Sequence, residues 1–262
     1  MLNGRGPTRA GCRTWGSVEG MTAFSARLDD RCGELQARPA HASDAIIDEI
    51  CRLRWDAIAG ENDLLHVAGA YYYFSIQFRE NLEIACRLYP DDEKLRELRH
   101  GECDTDNLSP WPGVAAAGEK LNHDEFMRRL LALQPLKGQG YLAVIGEAYL
   151  ARIRDLSDTS RARSIASYED GGLSRVFKAI LRARRWEGAG PLAFKFFLEQ
   201  HIRFDDDDGA GHGALSRHLR SDEDIVPLWA AFRDLLVAAV AKLAPAASGG
   251  GSAARAGQWE AC

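Results

Sequence analysis

Apolar residues recur along this chain at spacings of three and four, the signature of helices that bury one face. Ile46, Ile47, Ile50, Leu53 and Ile58 form one broad stripe, and Ser43 stands where an N-cap is expected, so the pattern predicts a helix over 44–58. A long helix is predicted from Asn62 or Asp63 to about Tyr89, stopped by Pro90. Asp91 and Asp92 open another through Leu95 and Leu98. After the breaker-rich run from Ser109 to Gly113, Asn122 caps a helix over 124–133. Further helices are expected over 139–156, 159–168, 173–185, 191–205 and 222–243.

Alternation with a period of two, bounded by hairpin turns, is absent, and the fold class read from the pattern is all-α. The most strand-like run, Tyr71-Tyr72-Tyr73-Phe74, lies inside a helical pattern that continues to Ile84, which makes it aromatic core or pocket wall. No period of 20 to 50 residues repeats, so a solenoid is not expected. The organisation that follows is a leader over 1–20, one helical domain over 21–243, and a flexible tail over 244–262 containing Gly249-Gly250-Gly251. Met21 offers a second start position within that scheme.

Composition narrows the function classes. The net charge of -5 provides no footprint for nucleic acid, and no basic stripe with interleaved aromatics occurs. No apolar run reaches membrane-spanning length. The first twenty residues carry Arg5, Arg9 and Arg13 without an apolar core, unlike a secretory signal. Six cysteines are scattered with no Cys-x-x-Cys spacing, which speaks against structural zinc and a disulfide scaffold and fits a reducing cytoplasm.

The chemistry-bearing stretch runs from His201 to His218. His201 and Asp205 are four residues apart and share a helix face with Phe194, Phe197 and Leu198. An imidazole and a carboxylate projecting inward, followed by His212, are a donor set for a transition metal. A solvated acidic loop is the alternative reading, and for Asp206 to Asp208 it is the one adopted. Asp205 fits that reading less well, because a carboxylate in the last helical turn opposes the macrodipole and calls for a cation.

Elsewhere, Glu97-Leu-Arg-His100 is a single Glu-x-x-His pair, where a ferritin-like dimetal bundle uses two. Glu102 ends one helix, His123 opens the next, and Glu169 lies between two helices in Ser167-Tyr-Glu-Asp-Gly-Gly172. Each also has a plain reading: a surface acid, a solvated histidine, a neighbour of a cap.

The run His201-x-x-x-Asp205 followed by His212-Gly213 resembles the last core helix of the haem-oxygenase-like dimetal oxidases. Asn122-His-Asp-Glu-Phe126 looks like that superfamily's first core histidine followed by an aromatic, and Ser167-Tyr-Glu-Asp170 like its middle-helix glutamate. The ligand order in that superfamily is Glu, His, Glu, His, Asp, His, and Glu102, His123, Glu169, His201, Asp205 and His212 supply it. The resemblance spans roughly residues 60 to 240. It departs from the pattern in the Pro/Gly-rich insertion between Glu102 and His123 and in the eleven-residue step from His201 to His212. Asp208 and His218 are rivals for the last ligand position, as Glu97 and His100 are for earlier ones.

The resemblance implies a haem-oxygenase-like helical bundle holding Fe(II), two ions, with Mn as an alternative metal. It implies an oxidase that uses O2 on a small molecule, by N-oxygenation, desaturation or oxidative C–C cleavage. No nucleic-acid or membrane partner is expected, and a homodimer is compatible with the sequence. A metal-free enzyme on the same fold, of the thiaminase or quinone-cofactor-synthesis type, is the second expectation. A non-catalytic small-molecule-binding protein is the third.

Overall fold

A computed structural model describes residues 43–103, 110–205, 213–219 and 223–245. These all fall in one compact unit, His41–Cys262. The expected leader and most of the expected tail lie outside the described residues. Among those described, the chain is helical throughout, with no strand beyond an isolated bridge between Trp111 and Ala115. No described helix is long and apolar enough to cross a membrane.

We number the helices α1 (Asp44–Cys51), α2 (Glu61–Leu88), α3 (Glu93–Cys103), α4 (His123–Leu131), α5 (Gln139–Arg154), α6 (Asp158–Ser167), α7 (Leu173–Ile180), α8 (Ala189–Asp205), α9 (Gly213–Ser216) and α10 (Val226–Ala239). A π turn, Tyr168–Gly172, joins α6 to α7. The all-α reading therefore holds, and most helix starts fall within a few residues of the predicted ones.

The axis of the structure is α2, 28 residues and about 42 Å long. It packs against α3, α4, α5, α6, α8 and α10, so nearly every face is buried. That is why its sequence carries aromatic and apolar residues on all sides instead of one stripe. Tyr71, Tyr73 and Phe74 are core residues, as the helical reading of that run requires.

Two polar positions inside α2 are buried because partners await them. Gln77 accepts from the Tyr149 hydroxyl at 2.7 Å and donates to the Tyr168 hydroxyl at 3.2 Å. Asn81 donates to Ser164 Oγ at 3.1 Å and accepts from Arg161 Nε at 2.9 Å. Arg161 in turn reaches Glu80 at 3.0 Å. A fully partnered network of this kind costs little and pins the register of α2 against α5 and α6.

The first helix corrects one expectation. It ends at Cys51, and Trp55–Ala57 form a separate 3-10 turn. Ser43 is already in the helical region and makes no side-chain cap; its hydroxyl lies 3.0 Å from Ser167 Oγ instead. The break follows from tertiary demand: the buried Trp55 indole folds back to donate to the Ile50 carbonyl at 2.9 Å.

Candidate metal centre

Four elements bring polar side chains to one cavity, and in each the local sequence dictates the direction. On α3, Leu95, Leu98 and Glu102 lie on one face at steps of three and four; both leucines are buried, so Glu102 is carried inward with them and is 4% exposed. Glu97 and His100 fall on the opposite face and are exposed.

On α4, His123 shares its face with the buried Phe126, Met127 and Leu130. Asn122 starts this helix as expected, its side chain accepting from Glu125 N at 2.9 Å. Glu125, in the first turn, is held down to about 2 by hydrogen bonds from Arg128 and Arg129, so its charge faces the positive end of the helix dipole. On α8, Phe194, Phe197 and Leu198 are buried and His201 continues their stripe, half-buried.

Glu169 arrives differently. It sits in the π turn, where Asp170 leaves helical geometry and Gly171 has φ 89, a left-handed conformation that glycine adopts without steric cost. The turn swings Glu169 inward, 7% exposed, where an uninterrupted helix would have set a different register. The segment over 213–219 supports it from outside: Gly213 lies against the Glu169 carbonyl, and Arg217 pairs with Asp170 at 2.8 Å.

Glu102, His123, Glu169 and His201 thus line one cavity, with Tyr71, Ser75, Phe78, Leu173 and Phe177 completing its wall. Its empty space, mouth included, is about 330 Å³. The His123 Nδ1 atom is 2.8 Å from Glu102 Oε2, and the Nε2 atoms of His123 and His201 are 3.3 Å apart. The other ring nitrogen of His201 lies 2.8 Å from the Phe197 carbonyl. A carbonyl oxygen only accepts, so His201 Nδ1 carries a hydrogen and Nε2 is the nitrogen turned to the cavity.

No known protein family, curated protein or solved structure matches the chain. The site is read from its own geometry.

Of the six residues in the expected ligand order, four meet at this cavity. Asp205 closes α8 one turn beyond His201; its side chain lies outside the described residues, as do His212 and the rival Asp208. The rivals Glu97, His100 and His218 do not line the cavity. His218 is exposed and its Nε2 contacts the Asp92 carboxylate at the start of α3. Burial alone would raise the Asp92 carboxyl, but hydrogen bonds from His218 and the Leu95 N–H outweigh it and hold it below its ordinary value. Among the described residues, no three His, Cys, Asp or Glu side chains stand grouped closely enough to hold a metal ion as they are. The two histidines instead face each other through a hydrogen bond. The aromatics expected from the sequence to line a substrate pocket, Tyr72, Phe74 and Phe197, do not line this cavity; Tyr71, Phe78 and Phe177 do.

Proposed function

We propose that this chain is a non-haem diiron oxidase on a haem-oxygenase-like helical bundle, acting with O2 on a small molecule in the reducing cytoplasm. One observation carries the reading: two carboxylates and two imidazoles, from four separate elements and in the expected chain order, converge on one buried cavity. Burying ionisable groups in an aromatic-walled space is costly unless a partner repays it, and a divalent cation is such a partner. Mixed carboxylate and imidazole donors suit Fe(II), and also Mn(II).

Glu102, His123, Glu169 and His201 would hold the metal, with Asp205 and His212 completing the set. When bound, two ferrous ions supply the electrons and open positions with which O2 oxidises a substrate by N-oxygenation, desaturation or C–C cleavage. The chain's own residues do the positioning. The Phe197 carbonyl fixes the His201 tautomer with the proton on Nδ1, so Nε2 is presented to the cavity with its lone pair. Tyr71, Phe78 and Phe177 exclude water and offer flat apolar contact to a small substrate. The π turn sets the reach of Glu169.

The test is anaerobic reconstitution with Fe(II), followed by metal analysis and measurement of O2 uptake. Binding of iron that is lost in His201→Ala supports the reading; a chain that takes up neither Fe(II) nor Mn(II) ends it.

A second reading is favoured by the closed hydrogen-bond chain Glu102–His123–His201. As it stands, that chain is a carboxylate–imidazole–imidazole relay able to move a proton to a substrate in the cavity, the chemistry of a metal-free enzyme on the same fold. Turnover that persists in the presence of a strong chelator selects it.

A further inference from the structure

Away from the cavity, two loops run side by side and gather arginines. One follows α1, over 52–58; the other follows α7, over 181–188. They are joined where Arg184 N donates to the Ile58 carbonyl at 2.8 Å and where Arg182 Nη2 contacts the Cys51 carbonyl. Arg54 N donates to the Leu243 carbonyl at 3.1 Å, which sets that loop against the 3-10 turn Ala241–Leu243. Arg52, Arg54, Arg182, Arg184 and Arg185 are all exposed here, and none has an acidic partner among the described residues. Only Asp56 and Glu187 oppose them within the two loops, on a chain whose net charge is -5.

This concentration of unpaired charge contrasts with most of the described surface, where Arg99 and Arg203 are single exposed exceptions and other arginines are matched. Arg79, Arg87, Arg128, Arg129, Arg152, Arg154, Arg175 and Arg233 each hold a carboxylate. Arg185 is also held at φ 59, the one described non-glycine residue with positive φ. A side chain in that region is strained, and such strain gathers at functional surfaces.

We propose that this arginine face is a docking surface for an acidic protein segment. Guanidinium forks pair with carboxylates through two parallel hydrogen bonds, and all five cations here are arginine, with no lysine among them. A nucleic acid is the poorer occupant, because the indole of Trp186 is half-buried with its N–H committed to the Ala183 carbonyl at 2.9 Å, which leaves no open aromatic platform for bases. The face borders the start of α8, roughly 18 Å along that helix from His201. Its occupant therefore docks away from the cavity, and the inference stands whether or not the cavity holds metal.

The test uses the full chain and a fluorescein-labelled ten-residue polyglutamate peptide, read by fluorescence anisotropy. Affinity is expected to fall about tenfold between about 20 mM and about 200 mM NaCl, because exposed charge pairs are screened over that range. Arg52→Gln combined with Arg184→Gln and Arg185→Gly is expected to weaken binding by about tenfold. Among the described residues the exposed Arg52 and Arg184 side chains make no hydrogen bond or ion pair, and glycine relieves the φ at 185, so circular dichroism should be unchanged. The single changes Arg52→Gln and Arg184→Gln should each show a smaller loss, about twofold. Absence of peptide binding, binding indifferent to these substitutions, or tighter binding of a single-stranded DNA oligomer or an anionic phospholipid vesicle would each overturn the proposal.

Discussion

The Nε2 atoms of His123 and His201 lie 3.3 Å apart although the residues are separated by 78 positions of chain. One opens α4 and the other sits in the last turns of α8; the His123 ring packs edge-on to Phe197 with centroids 5.6 Å apart, and the His201 ring lies tilted against it at 4.0 Å. Phe197 acts as the spacer that fixes both imidazoles. Its carbonyl orients one of them, and its ring separates the pair from the apolar core.

On the proposed function, that pairing is a ligand pair waiting for a cation. His123→Ala and His201→Ala should each reduce Fe(II) or Mn(II) affinity by about 100-fold or more, while far-UV circular dichroism stays close to the native spectrum. Asp205→Ala and His212→Ala should lower the number of irons retained after gel filtration without abolishing binding. Isothermal titration and metal analysis read both effects. Unchanged affinity in His123→Ala and His201→Ala would remove these residues from the ligand set.

Gly172 is the hinge on which Glu169 depends. A Cβ there would lie 2.2 Å from the Ser167 carbonyl oxygen and 2.8 Å from Trp229 Cζ2. Neither can retreat easily, since one is backbone and the other belongs to a fully buried indole whose Nε1 donates to Ser167 Oγ at 2.9 Å. Gly172→Ala should cost about 2–4 kcal/mol in a urea unfolding series. It should also weaken metal binding at sub-denaturing conditions, because the π turn must open to accommodate it.

The buried Gln77 bridge gives a stability prediction independent of function. Tyr168→Phe removes the oxygen that accepts from Gln77 Nε2, leaving that donor unsatisfied in the core, and should cost about 1–3 kcal/mol. Burial pushes both the Tyr149 and the Tyr168 phenols above their ordinary value of 10.0. Their contribution is therefore complete below that value and is lost as pH rises beyond it, when the unfolded chain ionises and the folded one resists. Absorbance at 295 nm should show two tyrosines that titrate only with alkaline unfolding.

At the acid end the sign reverses. Glu125, held down to about 2 by Arg128 and Arg129, stabilises the first turn of α4 above its ordinary 4.5 and loses that contribution as pH falls towards 2. The pair is partly exposed, so the effect is modest, below about 1 kcal/mol. Glu125→Gln should remove it at neutral pH and flatten the acid limb of the stability profile, measured by thermal unfolding across that range.

Helix identity was legible in the sequence because it rests on local periodicity, which a chain carries regardless of what surrounds it. The face argument went further. Leu95, Leu98 and Glu102, then Phe126, Met127 and Leu130 with His123, then Phe194, Phe197 and Leu198 with His201, each couple one polar residue to a buried stripe. A polar residue in register with such a stripe is carried inward. For His201 that spacing was read directly from the sequence; Glu102 and His123 entered the expected set only through the resemblance.

What only the tertiary structure decided is where periodicity breaks. The end of α1 at Cys51 follows from the need to bury Trp55, and the Ser43 hydroxyl turns to Ser167 across 124 positions instead of capping its own helix. The π turn that delivers Glu169 has no periodic signature, since it depends on Gly171 taking a left-handed φ and on Gly172 passing close beneath Trp229. The meeting of His123 with Glu102 and His201, and the pairing of two arginine-bearing loops, are likewise contacts between distant segments. Local sequence determines which face of a helix turns inward; which inward faces then meet is set by how the helices pack around α2.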